Sequence, residues 1–407
     1  MGKYSCKRYH TPHMTKYLIL GGGIAGLSAA WFLHKKHPDA KITLLEKSAR
    51  LGGWMQTEQL GDFSFEKGPR TFQAGKCPHL LALIRDVGLG EELLFSDPLA
   101  AKRYLWHRGR LRSMGSLVPR LLPYLIRELF VAKRTGEEET IYQFATRRFG
   151  PFVAETLFDP MTLGIYGGDI RTLSLKSCFP FLAKAEEESG SVVRHLFKKP
   201  QSGLFTLKNG MGHLILALQQ KLPIEIVFNC PIESVTSQEV VAGGTRWRAD
   251  RIFCALPASM MGPLFGVPIP TRDLSVVGLF YEQTPIAKKG FGYLVPSQER
   301  EPLMGMIWDS IVFRRQQGIV TAMVRPEAKD PVAVALKAME RHLNVREKPA
   351  QTALFIAKDA IPQFEVGHAQ KLALLEKRAG AVVLLGNYFE GASVEATLAR
   401  SHLNVEL

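Results

Sequence analysis

KYLILGGGIAGLSAAWFLHKKHPDAKITLLEKSARLGGW, residues 16–54, is the stretch from which the fold is read. Its apolar run at 17–20 reads as a short strand feeding the turn Gly21-Gly22-Gly23-Ile24-Ala25-Gly26. An Ala/Leu-rich helix follows, then a second strand at 42–45 that ends on Glu46. In this pattern Gly21 makes the tight turn, Gly23 lets backbone N–H groups approach a pyrophosphate, and Gly26 lets the helix pack on the strand. The helix N-terminus offers unpaired N–H groups and a positive dipole end to the phosphate charge. Glu46, 20 residues past Gly26, suits the hydroxyls of an adenosine ribose and would repel a 2′-phosphate, which argues against NADP at this position. Residues 17–34 carry no Asp, Glu, Lys or Arg, which also suits a signal peptide or a membrane span. Three consecutive glycines would cripple such a helix, and no small-residue cleavage site follows.

A chain of 407 residues can bury a large core and divide into two or three lobes. Lys and Arg number 52 against 38 Asp and Glu, and the surplus favours acidic partners such as carboxylated substrates or anionic lipid. The basic residues are scattered, with no zinc-finger spacing or aromatic RNA-binding signature, so no nucleic acid is expected. Cys6, Cys77, Cys178, Cys230 and Cys254 are far apart and form no CxxC pair, as in a cytosolic protein with reduced thiols. No HxxxH or HExxH occurs, and no metal is expected. Residues 1–13 are polar and patternless: a disordered tail or a misassigned start before Met14.

After Trp54, alternation through Phe63 and Phe65 stops at Gly68-Pro69 and predicts a hairpin. Periodicity from about 78 to 202 predicts mainly helix. Within it, VPRLLPYLIRELFVAKR (118–134) sets Val118, Leu121, Leu122, Leu125, Ile126, Leu129 and Phe130 broadly on one side, with Arg120, Arg127 and Arg134 on another. A basic amphipathic helix of this kind suits an anionic membrane surface, or alternatively a protein's own core. Runs at 224–228, 251–255 and 381–385 read as buried strands of an α/β sheet. Those at 276–281, 293–295, 305–308 and 319–324 read as a second, more antiparallel sheet. The uncharged run 252–270 holds four prolines and cannot span a membrane. The closing segment AVVLLGNYFEGASVEATLARS is again strand, glycine turn and helix, so both ends of the chain are expected to complete one nucleotide domain. A helix beginning near Ala392-Ser393 would aim its N–H groups at whatever lies past the turn.

Read together, GGGIAGLSAAWFLHKK, LLEKSARLGGW and FEKGPRTF resemble the FAD-dependent amine oxidase and phytoene desaturase superfamily. LFDPMTLGIYGGDIRTLSLKSCFP, GFGYLVP, WDS and GNYFEGASVEA narrow the resemblance to the oxygen-dependent protoporphyrinogen oxidases of haem biosynthesis, over nearly all of residues 14–407. Asn387, where a small residue is common, and the N-terminal tail depart from the pattern. The resemblance implies an α/β chain: a Rossmann-like FAD domain from 14–90, 204–270 and 376–407, a helical substrate-entry and membrane domain at 91–203, and a substrate-binding sheet domain at 271–375. It implies non-covalent FAD held by Gly21, Gly22, Gly23, Ile24, Ala25, Gly26, Glu46, Lys47, Arg50, Trp54, Gly68, Pro69, Arg70 and Thr71. Ile232 would meet the adenine, and Asn387, Ala392, Ser393 and Val394 the flavin. Arg103 would meet a porphyrinogen propionate, with Gly164, Phe291, Leu294 and Met323 lining the macrocycle.

The implied reaction is oxidation of protoporphyrinogen IX to protoporphyrin IX by three hydride transfers to FAD, with O2 as acceptor giving H2O2. No catalytic acid or base is implied. Coproporphyrinogen III is the alternative substrate, then an amine oxidase or carotenoid desaturase activity, then an FAD-binding scaffold without turnover. The expected setting is cytoplasmic, as monomer or homodimer, with peripheral association at the cytoplasmic face of the inner membrane and hand-off to the next haem-pathway enzyme.

Overall fold

The computed structural model describes residues 14–134, 136–196, 203–315 and 317–406; the expectation for residues 1–13 lies outside the described residues. The opening strand Lys16–Leu20 sits at the centre of a five-stranded parallel sheet. Lys41–Leu45 and then Glu225–Val227 lie to one side, and Arg251–Cys254 and then Val383–Leu384 to the other. Leu18, Ile19 and Leu20 are buried, as a strand covered on both faces requires. The opening helix Ile24–Lys36 buries nearly its whole length, and the closing helix Val394–Glu406 packs beside it. There Ser401 Oγ donates to the Ala25 carbonyl at 3.2 Å. The first and last described strands and helices thus share one sheet and one helix layer.

A second sheet has seven strands, in the order Gln351–Pro362, Thr271–Tyr281, Gly318–Val324, Leu303–Ile307, Gly292–Leu294, Arg103–His107, Arg110–Ser113. Only the Gly292–Leu294/Arg103–His107 pairing is parallel. One face packs on the helix Pro331–Leu343 through Trp106, Leu279, Trp308, Ala335 and Met339. Residues 91–203 are thus not helical throughout: Arg103–His107 and Arg110–Ser113 form a hairpin that extends this sheet. Its turn is Arg108-Gly109 with φ of 52° and 67°, the doubly left-handed turn that matches strand twist.

The helical layer lies on the sheet's other side. Its basic amphipathic element is displaced from the expected 118–134: it runs Met114–Glu128. The helix starts at Ser113, whose Oγ accepts from the Ser116 N–H at 3.3 Å, and it tolerates Pro119 and Pro123 inside. It stops where Glu128 turns inward to the fully buried Arg148, a pair completed by Glu186 at 3.2 Å from Arg148. The expected apolar side also divides. Leu121 joins Leu117 in the core, while Val118, Leu122, Ile126 and, beyond the helix, Phe130 are exposed on a line of four-residue steps. Among the described residues no helix is long and apolar enough to cross a membrane.

Candidate active site

The glycine turn after the opening strand leaves backbone room beside a helix N-terminus. A Cβ on Gly26 would meet the Gly21 carbonyl oxygen at 2.0 Å, so only glycine lets the helix come this close. A Cβ on Gly23 would meet nothing within 4 Å, leaving open space at the helix N-terminus, where no side chain caps the first turn. Gly22, Ile24 and Ala25 complete that turn, and Gly52 N–H donates to the Gly22 carbonyl at 2.8 Å. The Glu46 carboxylate accepts from Gly22 N–H at 2.7 Å, Ser48 N–H at 2.9 Å and Ser48 Oγ at 2.8 Å. That uses three of about four lone-pair positions and leaves room for a hydroxyl donor. Cys230 N–H donates to the Glu46 carbonyl at 2.9 Å, which brings the strand beginning at Ile232 close by. Arg50 donates to the Leu51 carbonyl at 3.1 Å, and Lys47 is exposed.

Trp54 and the turn Gly68-Pro69-Arg70-Thr71 are in direct contact: a Cβ on Gly68 would meet the Trp54 carbonyl at 1.8 Å. Arg70 Nη1 donates to Thr321 Oγ1 at 2.5 Å, and that hydroxyl donates to Asp309 Oδ2 at 2.8 Å. Burial pushes the Asp309 carboxyl above the usual range, against the pull of Arg70 and the Thr321 hydrogen bond. Glu66 is raised likewise by burial, although it accepts from Met211 N–H and Thr57 Oγ1 at 2.9 Å each. Thr71 Oγ1 is buried with no partner among the described residues. From the far end of the chain, Ser393 Oγ accepts the Ala396 N–H at 3.1 Å and starts the closing helix at Val394, with Asn387 half-buried before it. Open space at Gly23, an uncapped helix end and an orphaned Thr71 hydroxyl fit a dinucleotide reaching from one helix N-terminus toward this turn.

The register of the seven-stranded sheet aligns the remaining candidates. Met323, Gly305, Leu294, Leu105 and Arg112 are successive cross-strand partners and share one face. The adjacent row runs Thr321, Ile307, Gly292, Arg103. Gly164, on the helix Asp159–Tyr166, lies against Leu294, since a Cβ there would meet Leu294 Cδ2 at 2.7 Å. Leu105, Leu294 and Ala392 belong to one apolar cluster, so this shelf reaches the closing turn. Arg103 stacks its guanidinium 4.1 Å from the centre of the Phe291 ring and hydrogen-bonds the Ala100 carbonyl through Nη1. Burial lowers its pKa below the usual arginine range. Beside Arg103 a cavity of about 1380 Å³ opens, lined also by Lys102, Arg110, Arg112 and Asp97.

A profile of the flavin containing amine oxidoreductases matches residues 24–275. The protoporphyrinogen oxidase of Bos taurus is 30% identical, over 93% of this chain and 94% of its own length. The chain belongs to the protoporphyrinogen oxidase family of flavin-containing amine oxidoreductases. The coproporphyrinogen III oxidase of Bacillus subtilis is 25% identical over 93% of each chain. A crystal structure from Exiguobacterium sp. 255-15 superimposes with a TM-score of 0.83 at 22% identity, over 96% of this chain and 98% of its own, and shares the fold.

Like the rest of this family, the chain is an FAD-dependent oxidoreductase. Nothing in the sequence marks Glu66 or Thr321, and Asp309 is visible only within the WDS motif at 308–310. A buried acid before a helix turn looks like any capping residue until Arg70, 251 positions away from Thr321, is seen beside it.

Proposed function

We propose that this enzyme oxidises protoporphyrinogen IX to protoporphyrin IX, with FAD bound non-covalently and O2 as the acceptor. FAD supplies the hydride acceptor. The chain's own residues bind, orient and desolvate. Gly21–Gly26 and Glu46 take the pyrophosphate and ribose, with Lys47, Arg50 and Trp54 along the dinucleotide and Ile232 at the adenine. The turn Gly68–Thr71 and the segment from Asn387 to Val394 would hold the flavin. The observation that carries the substrate reading is an aliphatic shelf that ends in an arginine. Leu294, packed against Gly164, and Met323 suit a flat apolar ring, and Arg103 on Phe291 suits its carboxylate.

No side chain is assigned an acid or base role: three methylene bridges would each give up a hydride, and the three balancing protons would leave the macrocycle itself, two from N–H groups and one from the fourth bridge through imine–enamine tautomerism. The chain resembles both a protoporphyrinogen oxidase and a coproporphyrinogen III oxidase, which makes coproporphyrinogen III the second reading. The exposed line Val118, Leu122, Ile126 and Phe130, beside Arg120 and Arg127, supports peripheral binding of the helical domain to an anionic membrane. The deciding experiment gives purified flavoprotein each porphyrinogen in turn and follows porphyrin fluorescence with O2 uptake. Faster conversion of protoporphyrinogen is expected. Conversion of neither would overturn the proposal, and preference for coproporphyrinogen would install the second reading.

A further inference from the structure

Arg112 has no counterpart in the roles assigned so far, yet its surroundings are those of a binding residue. It sits on the hairpin strand Arg110–Ser113, directly opposite Leu105, and Arg103 is two residues before Leu105 on the neighbouring strand. Arg103 and Arg112 are therefore diagonal neighbours on one sheet face, a spacing of roughly 7–8 Å between backbone positions. Arg112 Nε is buried and has no hydrogen-bond partner among the described residues. A buried donor left unpaired is costly, and native structures keep such groups rarely and for a reason.

The cavity supplies the reason. Lys102, Arg103, Arg110 and Arg112 all line it, and none of them is ion-paired within the described residues. The one lining carboxylate, Asp97, is already engaged by Arg314 and by the Leu99 N–H at 2.7 Å. A cavity whose cations exceed its free anions, with one guanidinium nitrogen buried and unsatisfied, is built for a ligand with more than one carboxylate.

We propose that Arg112 is a second carboxylate-binding residue, so that Arg103 and Arg112 together hold two neighbouring propionates of one porphyrinogen. This rests on the porphyrinogen reading above. Protoporphyrinogen carries its two propionates on adjacent pyrroles, and two arginines on adjacent strands match such a pair. The clamp fixes rotation of the ring about its own axis, which a single Arg103 contact would leave free.

The test uses the FAD-loaded enzyme and two probes, protoporphyrin IX and its dimethyl ester, titrated by quenching of porphyrin fluorescence. R112A should weaken binding of the diacid by about tenfold or more and leave the ester within about twofold. Flavin content should stay at the wild-type level. In turnover the loss should appear mainly in KM, as for a contact made equally in ground and transition states. R112Q keeps the stem and most of the volume without charge, and it stands in if R112A yields no folded holoprotein.

Diacid binding by both variants within about twofold of wild type would overturn the proposal. Equal losses for diacid and ester would also overturn it, because they would mark Arg112 as structural. Failure of the porphyrinogen reading looks different: wild-type enzyme would then convert neither porphyrinogen and bind neither probe.

Discussion

Glu46 shows how much one side chain does before any ligand arrives. Its carboxylate ties the Gly22 N–H to Ser48, holding the glycine turn and the end of the second strand in one geometry. Hydrogen bonds to a charged group contribute about 1.5–3 kcal/mol each. Glu46→Ala therefore loses the clamp together with the proposed ribose acceptor, and the purified variant should be mostly apoprotein, read as flavin absorbance per protein. Wild-type flavin content in that variant would remove Glu46 from the site. Arg103 makes a different claim, on substrate alone. Truncating one partner of a desolvated charge pair costs roughly 2–5 kcal/mol, so Arg103→Ala should lower kcat/KM by about 30-fold or more. Its flavin spectrum should be unchanged, and Arg103→Lys should recover only part, since an ammonium lacks the planar fork. A loss below about threefold on both porphyrinogens would mean that the propionate is held elsewhere.

At the scale of elements, what could be read from sequence divides by how local the cause is. The glycine turn, Glu46 and the closing helix follow from contacts within one strand–turn–helix unit, and each lies where its spacing predicts. The Arg103–Ser113 hairpin was hidden because its turn is Arg-Gly instead of the Asn-Gly that usually marks it. The edge strand Gln351–Pro362 gives no clean alternation because its exposed face mixes Leu354 and Ile356 with Lys358 and Asp359. The end of the 114–128 helix is not legible locally because its stop depends on Arg148, a residue twenty positions away.

That helix carries the next prediction. Leu125 and Leu129 are partly buried against the core, so charges there would test folding. Leu122 and Ile126 are about half exposed. Leu122→Glu with Ile126→Glu should keep the wild-type Tm within about two degrees and abolish flotation with anionic liposomes. Equal flotation of both proteins would take this helix off the membrane.

For the molecule as a whole, acid stability is tied to His342. It is 6% exposed, stacked 3.7 Å from Trp106, and its Nδ1 lies 2.9 Å from the Tyr293 hydroxyl. Burial and the nearby Arg341 push its pKa down to about 4. Glu301 lies 3.1 Å from Nε2, but it is itself held up by burial and engaged by Trp106 and Arg341, so it offsets little. A histidine depressed in the folded state binds fewer protons than the unfolded chain. Its contribution is therefore fully present above about pH 6.5 and lost as pH falls toward 4, by up to about 3 kcal/mol. Between pH 7 and pH 4.5 wild type should lose more Tm than His342→Gln. Parallel losses would show that other groups govern the acid limb.

The packing of the closing helix on the opening one has a consequence for biosynthesis. Lys16–Leu20 leaves the ribosome early, but its sheet gains Val383–Leu384, and its helix gains the Ser401 contact, only after more than 360 further residues. The two sheet-domain segments and the helical layer must be threaded between the halves of one nucleotide fold. A nascent chain stalled before residue 383 should then carry no flavin, however long it waits. Cofactor capture becomes a late event in the life of this polypeptide, and any deletion within 383–406 should present as a shortage of flavin before it presents as a shortage of protein.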